Sequence, residues 1–483
     1  MVERAPIVRV ALPICIVANA LFVVFYMNTP QPNHDVWHAM ALARESLKLG
    51  YVPTTDLYSY APTVAPVVHH EWLAGVVALA TFTAAGLNGF ALLWLGLTAA
   101  MWVACIVGLR GTRVSVGIGA AALMTPFIMY SQYQPCIAQS YSSLMTAVTI
   151  LIVQADMRAR HRRWLMLCLP ISVLWVNLHA GAVLGVAILA VYSVERRVTG
   201  RAWSAQAATA IAMAGAFAVS PFGLSYYSYL ARALTMPRPE IGQWRPFWFL
   251  DPSLWSWLFV ASVFVLAWTI RRRGTFTGSL ITVALAILAA RASKNLPFYG
   301  IAWLVFVARH VAVPAISQRI ALAGGVLSAA AIPLLSVGIW HTAPWHVVLP
   351  SDIKTSQGSL ALPVYAADYL QRTGFRGNVM TFFRHGAYLS WRLYPKVKVS
   401  CDARYEAAYP PRDVSANFEA YLRRPESFQA EIARLPQTDL ILIDRRMAAK
   451  KAIDLLRGWH SVYNDEIFTL LGRDTLRASL AHQ

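Results

Sequence analysis

Over roughly the first 340 residues the apolar positions come in long blocks, and polar positions are confined to short interruptions between them. Blocks of about 20 apolar residues are what a helix needs to cross a bilayer. Candidate spans lie at 7–27, within 72–109, and at 114–130, 139–156, 164–178, 180–194, 203–220, 253–270, 276–290, 296–312 and 319–340. That pattern predicts about eleven crossings, with the N-terminus inside and the C-terminus outside. The block 72–109 is long enough for two helices and is interrupted by "GLNG" at 86–89, so one half is expected to be re-entrant or to lie at the interface. From about residue 345 the pattern changes. "NVMTFF" (378–383), "KVKVSCD" (396–402), "DLILIDRR" (439–446) and "SVYNDEIFTLLGRD" (461–474) read as strands separated by turn residues. Between them, "PVYAADYLQRTG" (363–374) reads as a helix stopped by Gly374. The expected architecture is a polytopic α-helical transmembrane domain over 1–344 and a soluble, outward-facing α/β domain over 345–483.

Composition supports this reading: 57% of the 483 residues are hydrophobic and 13% are charged, where a soluble domain carries about 25% charged. The net charge of +19 first suggests nucleic acid. Its distribution excludes that, because much of it sits in short connectors: "RGTR" (110–113), "RARHRR" (158–163), "ERRVTGR" (195–201) and "RRRG" (271–274). Such connectors are the cytoplasmic loops of the positive-inside rule. The five cysteines, at 15, 105, 136, 168 and 401, have no paired spacing and predict neither a disulfide framework nor a zinc site.

If the basic connectors face inward, the acidic and histidine-rich chemistry faces outward. The first outer loop, 28–71, holds "NHDVWH" (33–38), "PTTDLYSY" (53–60) and "VHHEWL" (68–73). Residues 35–49 predict an amphipathic, interfacial helix stopped by Gly50, with Asp35 at its N-terminal end. There a carboxylate has a structural use, because unpaired N–H groups favour negative charge. Asp56 has the simple reading of a turn residue. His70 and Glu71 have that of a polar collar before an interface tryptophan. His34 and His38, four apart, share a helix face, but no carboxylate or cysteine at fixed spacing makes them a metal site. Against these readings stands the concentration of ionisable groups at one membrane boundary, which is costly and points to function. A carboxylate beside a hydroxyl can accept its proton as the oxygen attacks.

The same face collects Asn177 and His179 in "WVNLHAG", Arg232, Arg238 and Arg245 in the 221–252 loop, and Arg291 and Lys294 in "RASKN". Arginine and lysine pair well with phosphate oxygens. "RASKN" places positive charge on the outer side, against the positive-inside rule, and an anionic lipid phosphate would explain it.

Taken in order, these motifs resemble the GT-C superfamily of integral membrane glycosyltransferases, in particular a bacterial branch. The likeness runs from the first loop through "WVNLHAG", "SPFGLSYYSYL" (220–230) and "IGQWRPF" (241–247) to "HGAYLSWRL" (385–393) and "VSCDARYEAAYP" (399–410). It implies transfer of a sugar from a polyprenyl-phosphate donor to a glycan or lipid acceptor on the outer side of the membrane, with inversion at the anomeric carbon. The residue matching the catalytic base is Asp35, and Asp56 and Glu71 match further acidic positions. The resemblance fixes no cofactor: some members use a divalent metal and others none. The expected partners are therefore the lipid-linked donor, the acceptor and membrane lipids, with no nucleic acid. Two other functions fit an outward polar face, a lipid-linked saccharide transporter or flippase and a non-catalytic glycan-assembly protein. No internal repeat of the kind transporters often carry is visible. "DAR" at 402–404 reads more simply as a structural pair than as a catalytic one.

Overall fold

The structure is a computed structural model that describes residues 6–158, 162–249, 254–311, 318–356 and 361–474. Residues 159–161 of the basic connector 158–163 lie outside the described residues. The helices are, in chain order, α1 (Pro6–Phe25), α2 (Asp35–Leu49), α3 (Trp72–Gly108), α4 (Val114–Ile128), α5 (Gln139–Arg158), α6 (Cys168–Leu178), α7 (Ala182–Val198), α8 (Ser204–Gly215), α9 (Ser225–Thr235), α10 (Leu254–Arg273), α11 (Ser279–Arg291), α12 (Leu296–Ala302), α13 (Gln318–Thr342), α14 (Ile353–Ser356), α15 (Val364–Arg372), α16 (Gly386–Leu393), α17 (Pro411–Phe418) and α18 (Phe428–Arg434). The chain forms two compact units, one of residues 1–30, 86–219 and 241–347, the other of 31–85, 220–240 and 348–483.

The first unit is helical. The described residues of each expected span lie mostly in helix. Four helices are long and apolar enough to cross a membrane by length and composition: Val8–Phe25, Trp72–Gly108, Leu254–Arg273 and Arg319–Thr342. Shorter apolar helices include Val114–Ile128, Arg163–Leu178, Ser204–Ala218 and Ser279–Arg291. α1 and α13 run against each other, with Gly325 beside Ala11 and Gly338 beside Phe25, since small residues let helices approach closely. Trp257, Phe264, Leu327 and Leu334 are exposed, as side chains bathed in lipid would be. Buried charges in this unit are satisfied internally. Asp156 accepts from Arg162, Tyr192 and Gln206 at 2.8–3.1 Å. Glu195 on α7 accepts the backbone N–H groups of Gly278 and Leu280 at 2.7 and 2.8 Å, capping α11.

The break expected at 86–89 takes a different form. α3 is assigned as one helix of 37 residues, about 55 Å long at about 1.5 Å per residue, against a hydrocarbon core of about 30 Å. The irregularity is local: Gly86 takes φ +56°, a value that glycine adopts without a Cβ penalty. There the chain also passes from one unit to the other.

The second unit is built on a five-stranded sheet of β1 (Gly377–Met380), β2 (Val397–Val399), β3 (Leu440–Asp444), β4 (Trp459–Asn464) and β5 (Phe468–Arg473), in the order β2-β1-β3-β5-β4. β1 is parallel to β2 and β3, while β5 is antiparallel to β3 and β4. All five residues of β3 are buried, as in a central strand covered on both faces. α15 ends before Gly374, which takes φ +63° as the expected stop. The first loop joins this sheet: Tyr60 N–H donates to Val399 O at 3.1 Å, and Val399 N–H donates to Tyr58 O at 3.0 Å. The edge strand β2 is thus covered rather than left open.

α2 has the expected bounds, and Gly50 closes it at φ +76°. Its covering is protein rather than an open interface. Residues 36–43 are all buried, and only the last turn exposes Leu47 and Leu49. Trp37 meets Tyr388 edge-on at 5.1 Å, and Gly75 on α3 faces the backbone of Ala39. A Cβ added at Gly75 would lie 2.3 Å from the Ala39 carbonyl oxygen. Gly75→Ala is therefore expected to cost about 1–3 kcal/mol, read as a lower thermal unfolding midpoint in detergent beside an unchanged Gly96→Ala control, whose added Cβ meets nothing within 4 Å.

Candidate functional site

In the second unit α3 and α16 pack against the first half of α2. The first N–H of that helix, on Asp35, donates to the Asn33 side chain at 2.9 Å. The capping duty expected of Asp35 thus falls to Asn33, and the N-cap position belongs to His34, which makes no side-chain cap bond. Asp35's carboxylate lies 3.3 Å from His34 Nε2 and keeps 38% of its surface open. The protein packed around it raises its carboxyl well above the usual carboxylate range. Glu71, Glu406 and Asp402 push in the same direction, and Arg384 pulls against them.

The histidines beside it are held neutral. Burial, together with Arg384, lowers His34 to about 3. Burial lowers His38, one turn further along, to about 4 despite the opposing pull of Asp402 and Glu71.

A second group stands at the start of α3. His70 Nε2 lies 3.3 Å from Glu71 Oε1, and the His70 ring stacks on Tyr229 of α9 at 5.1 Å. The Tyr229 hydroxyl is 2.8 Å from His70 Nδ1 and 3.4 Å from Glu406 Oε1. Arg238, one of the outer-face arginines of the 221–252 loop, is buried in an ion pair with Glu406 at 3.1 Å. Burial alone would raise Glu406, but Arg238 and then His70 bring it below its ordinary value. Nearby Glu240 accepts from Tyr405 at 3.1 Å and from Ser415 at 2.8 Å.

The third group is a buried ionic triad. Arg404 donates to Asp402 through Nε and Nη2, each at 2.8 Å, and to Asp56 through Nη1. The side chains of Arg404, Asp402 and Asp56 are 2%, 0% and 4% exposed. Asp56 also accepts the Ser59 N–H at 2.7 Å and the Tyr58 N–H at 3.3 Å, the turn expected of it. Burial would raise the Asp56 carboxyl, and Arg404 brings it below the ordinary value instead.

Asn177, His179, Arg245, Arg291 and Lys294 belong to the first unit. Asn177 donates to Val173 O at 2.8 Å and to Val219 O at 2.9 Å. His179 Nδ1 accepts the Gly181 N–H at 3.1 Å and lies 2.7 Å from Ser142 Oγ, which places its ring proton on Nε2. The Arg245 carbonyl accepts the Ser293 N–H at 3.1 Å, and Lys294 sits 3.1 Å over the Trp244 ring, so the 241–245 and 291–295 segments meet. The Arg245 side chain is exposed. Arg291 is exposed at the last position of α11, where a cation suits the helix dipole.

Sequence reasoning did not select Arg384, Glu406 or Tyr229. Glu406 and Arg384 come from the 384–410 region, far along the chain from the first loop. Glu406 lies within "VSCDARYEAAYP", Tyr229 within "SPFGLSYYSYL", and Arg384 immediately before "HGAYLSWRL". "DAR" itself is the structural pair it was read as.

Two consequences are measurable. Arg404→Ala strands two buried carboxylates and is expected to cost about 3–5 kcal/mol, seen as lost folded protein or a strongly lowered melting temperature. The second concerns His385, fully buried between the Phe382 and Phe468 rings at 5.6 and 5.0 Å. Burial, opposed by Asp444 and joined by Arg446 and Arg384, lowers it to about 4. A histidine with a lowered folded value contributes stability above its unfolded value, about 6.5, and loses it as pH falls toward 4. His385→Phe should therefore lose less stability than wild type between pH 7 and 4.5 in parallel thermal scans.

No protein-family model and no curated protein matches the chain. Solved structures do. The chain is similar to ArnT from Cupriavidus metallidurans in the apo state, with TM-score 0.53, 12% identity, and coverage of 94% of this chain and 96% of that one. The same protein bound to undecaprenyl phosphate gives TM-score 0.52 at 12% identity, over 94% and 97% of the two chains. The Archaeoglobus fulgidus oligosaccharyltransferase in the apo form gives TM-score 0.56 at 11% identity, over 90% of this chain and 69% of that one. These are GT-C glycosyltransferase structures, and the chain has their fold: a polytopic α-helical membrane protein with a small C-terminal α/β layer.

Proposed function

We propose that the protein is a GT-C-type glycosyltransferase that moves a sugar from a polyprenyl-phosphate-linked donor to a glycan or lipid acceptor on the outer face of the membrane. Asp35 is the general base. One observation carries this reading. Among the acids gathered in the second unit, Asp56 and Asp402 are neutralised by Arg404 and Glu406 by Arg238, while Asp35 keeps part of its surface open and is relieved of capping duty. Protein packed around it raises its proton affinity, in the direction that makes a carboxylate a stronger proton acceptor. The fold likeness supports the reading, because one neighbour was solved with undecaprenyl phosphate bound.

In this mechanism an acceptor hydroxyl gives its proton to Asp35 as its oxygen attacks the anomeric carbon. The bond from that carbon to the lipid phosphate breaks in the same displacement, and the configuration inverts. His34 and His38, both neutral, add no competing positive charge at the base. His70, Glu71 and Tyr229 form the polar wall beside Glu406 and are assigned to acceptor binding. In the first unit, Arg291 and Lys294 are assigned to the donor phosphate, and Asn177, His179 and Arg245 to substrate.

The test is transfer from a panel of synthetic polyprenyl-phosphate sugars by purified protein, wild type beside Asp35→Asn. The variant should stay folded and lose about 10²–10⁴ in turnover. Near-normal turnover in the variant removes Asp35 from the mechanism. Binding without turnover by both proteins would favour the transporter or assembly reading.

A further inference from the structure

Three segments of the first unit, 130–139, 241–247 and 291–295, are tied together by hydrogen bonds that centre on Ser293. Its N–H donates to the Arg245 carbonyl at 3.1 Å, and its hydroxyl donates to the Gln243 carbonyl at 3.2 Å. The Tyr130 hydroxyl donates to Ser293 Oγ at 3.1 Å, so Ser293, fully buried, has both roles of its hydroxyl filled. Gln139 Nε2 donates to the Lys294 carbonyl at 2.6 Å, and Gln243 Nε2 donates to the Tyr133 hydroxyl at 3.2 Å. The main chain is thus held on both sides of Trp244 and at Lys294 itself.

On this mount the Lys294 ammonium stands 3.1 Å over the centre of the Trp244 ring. Of the aromatic faces, that of tryptophan attracts a cation most strongly. A ring face engages one side of an ammonium, which carries three N–H donors. The three segments contain Arg245, Arg291 and Lys294 and no acidic residue, so their own charge is complementary to an anion. A lysine stem has many rotamers, and ordering such a side chain when a ligand binds costs affinity. A lysine already seated on an indole, with its backbone bonded on either side, has met that cost in the folded protein.

We propose that Trp244 is a positioning residue for Lys294: its ring seats the ammonium before a lipid phosphate arrives, so that binding does not have to order the lysine. Trp244 acts through Lys294 and need not touch the lipid. The "IGQWRPF" segment then serves the "RASKN" cation rather than a ligand of its own. This rests on the assignment of Lys294 to the donor phosphate, and the test separates the two.

The probe is undecaprenyl phosphate, with undecaprenol as the control for the tail alone, titrated against the full chain in detergent. Wild type is compared with Trp244→Leu, Trp244→Phe, Lys294→Ala and the double variant Trp244→Leu/Lys294→Ala, each first shown by circular dichroism to be folded. Lys294→Ala is expected to weaken phosphate-lipid binding about tenfold or more and to leave undecaprenol binding unchanged. Trp244→Leu should weaken it roughly twofold to tenfold, the cost of ordering one long side chain, and Trp244→Phe should weaken it less. In the Lys294→Ala background Trp244→Leu should cost nothing further, because residues that act as one unit are not additive. If the leucine variant does not fold, Trp244→Phe carries the same cycle. Equal losses with and without the lysine overturn the proposal, since a merely structural role would be additive; so does wild-type binding in Trp244→Leu. Both outcomes leave the phosphate role of Lys294 standing. Unchanged phosphate-lipid binding in Lys294→Ala discards that role, and the proposal with it.

Discussion

Three charges buried together make the second unit one object. Arg404 sits between Asp56 of the first loop and Asp402 after β2, and each is at most 4% exposed. None of them could be buried alone, because a desolvated charge without its partner costs several kcal/mol. The loop and the sheet therefore order each other. The backbone repeats the link where Tyr58 and Tyr60 pair with Val399 at the open edge of β2. Tyr58 and Tyr409 lie over and beside the guanidinium, closing it from water. Once this segment is fixed, the run from 61 to 71 and the start of α3 have little freedom left, and Glu71 and His70 are placed.

The acids of the unit then divide by environment rather than by type. Asp56 and Glu406 are drawn below their ordinary values by an arginine each, while Asp35 is raised. Carboxylates in one region that are pushed apart in proton affinity are a recurring sign of separate chemical duties. The histidines beside Asp35 stay neutral under the same burial that raises it. Packing of protein around the three groups moves Asp35 up and His34 and His38 down, and the neighbouring acids add to the rise of Asp35.

The helical unit obeys a different rule. Its buried Asp156 and Glu195 are consumed by side-chain and backbone donors, and its apolar faces are left open. A fold shared with solved structures at 11–12% identity is what such a rule permits. Many apolar residues satisfy a lipid-facing position, provided the length and the internal hydrogen bonds are kept.

Hydropathy and turn chemistry in the sequence alone determined the helical spans, the strands at 378–383, 396–402, 439–446 and 461–474, the helix over 35–49 and its stop at Gly50. These depend on period and local backbone preference, which neighbouring residues carry. The sequence also brought Asp35, Glu71 and His70 forward, because they crowd one short loop. Tertiary structure alone decided that Asp56 and Arg238 are spent in ion pairs, and that Glu406 stands beside Tyr229, whose hydroxyl meets His70 of the first loop. Those facts depend on residues some 170 to 350 positions apart meeting in space, and no local period records such a meeting. It is produced by burial, which forces each charge to find whatever partner the folded chain brings near.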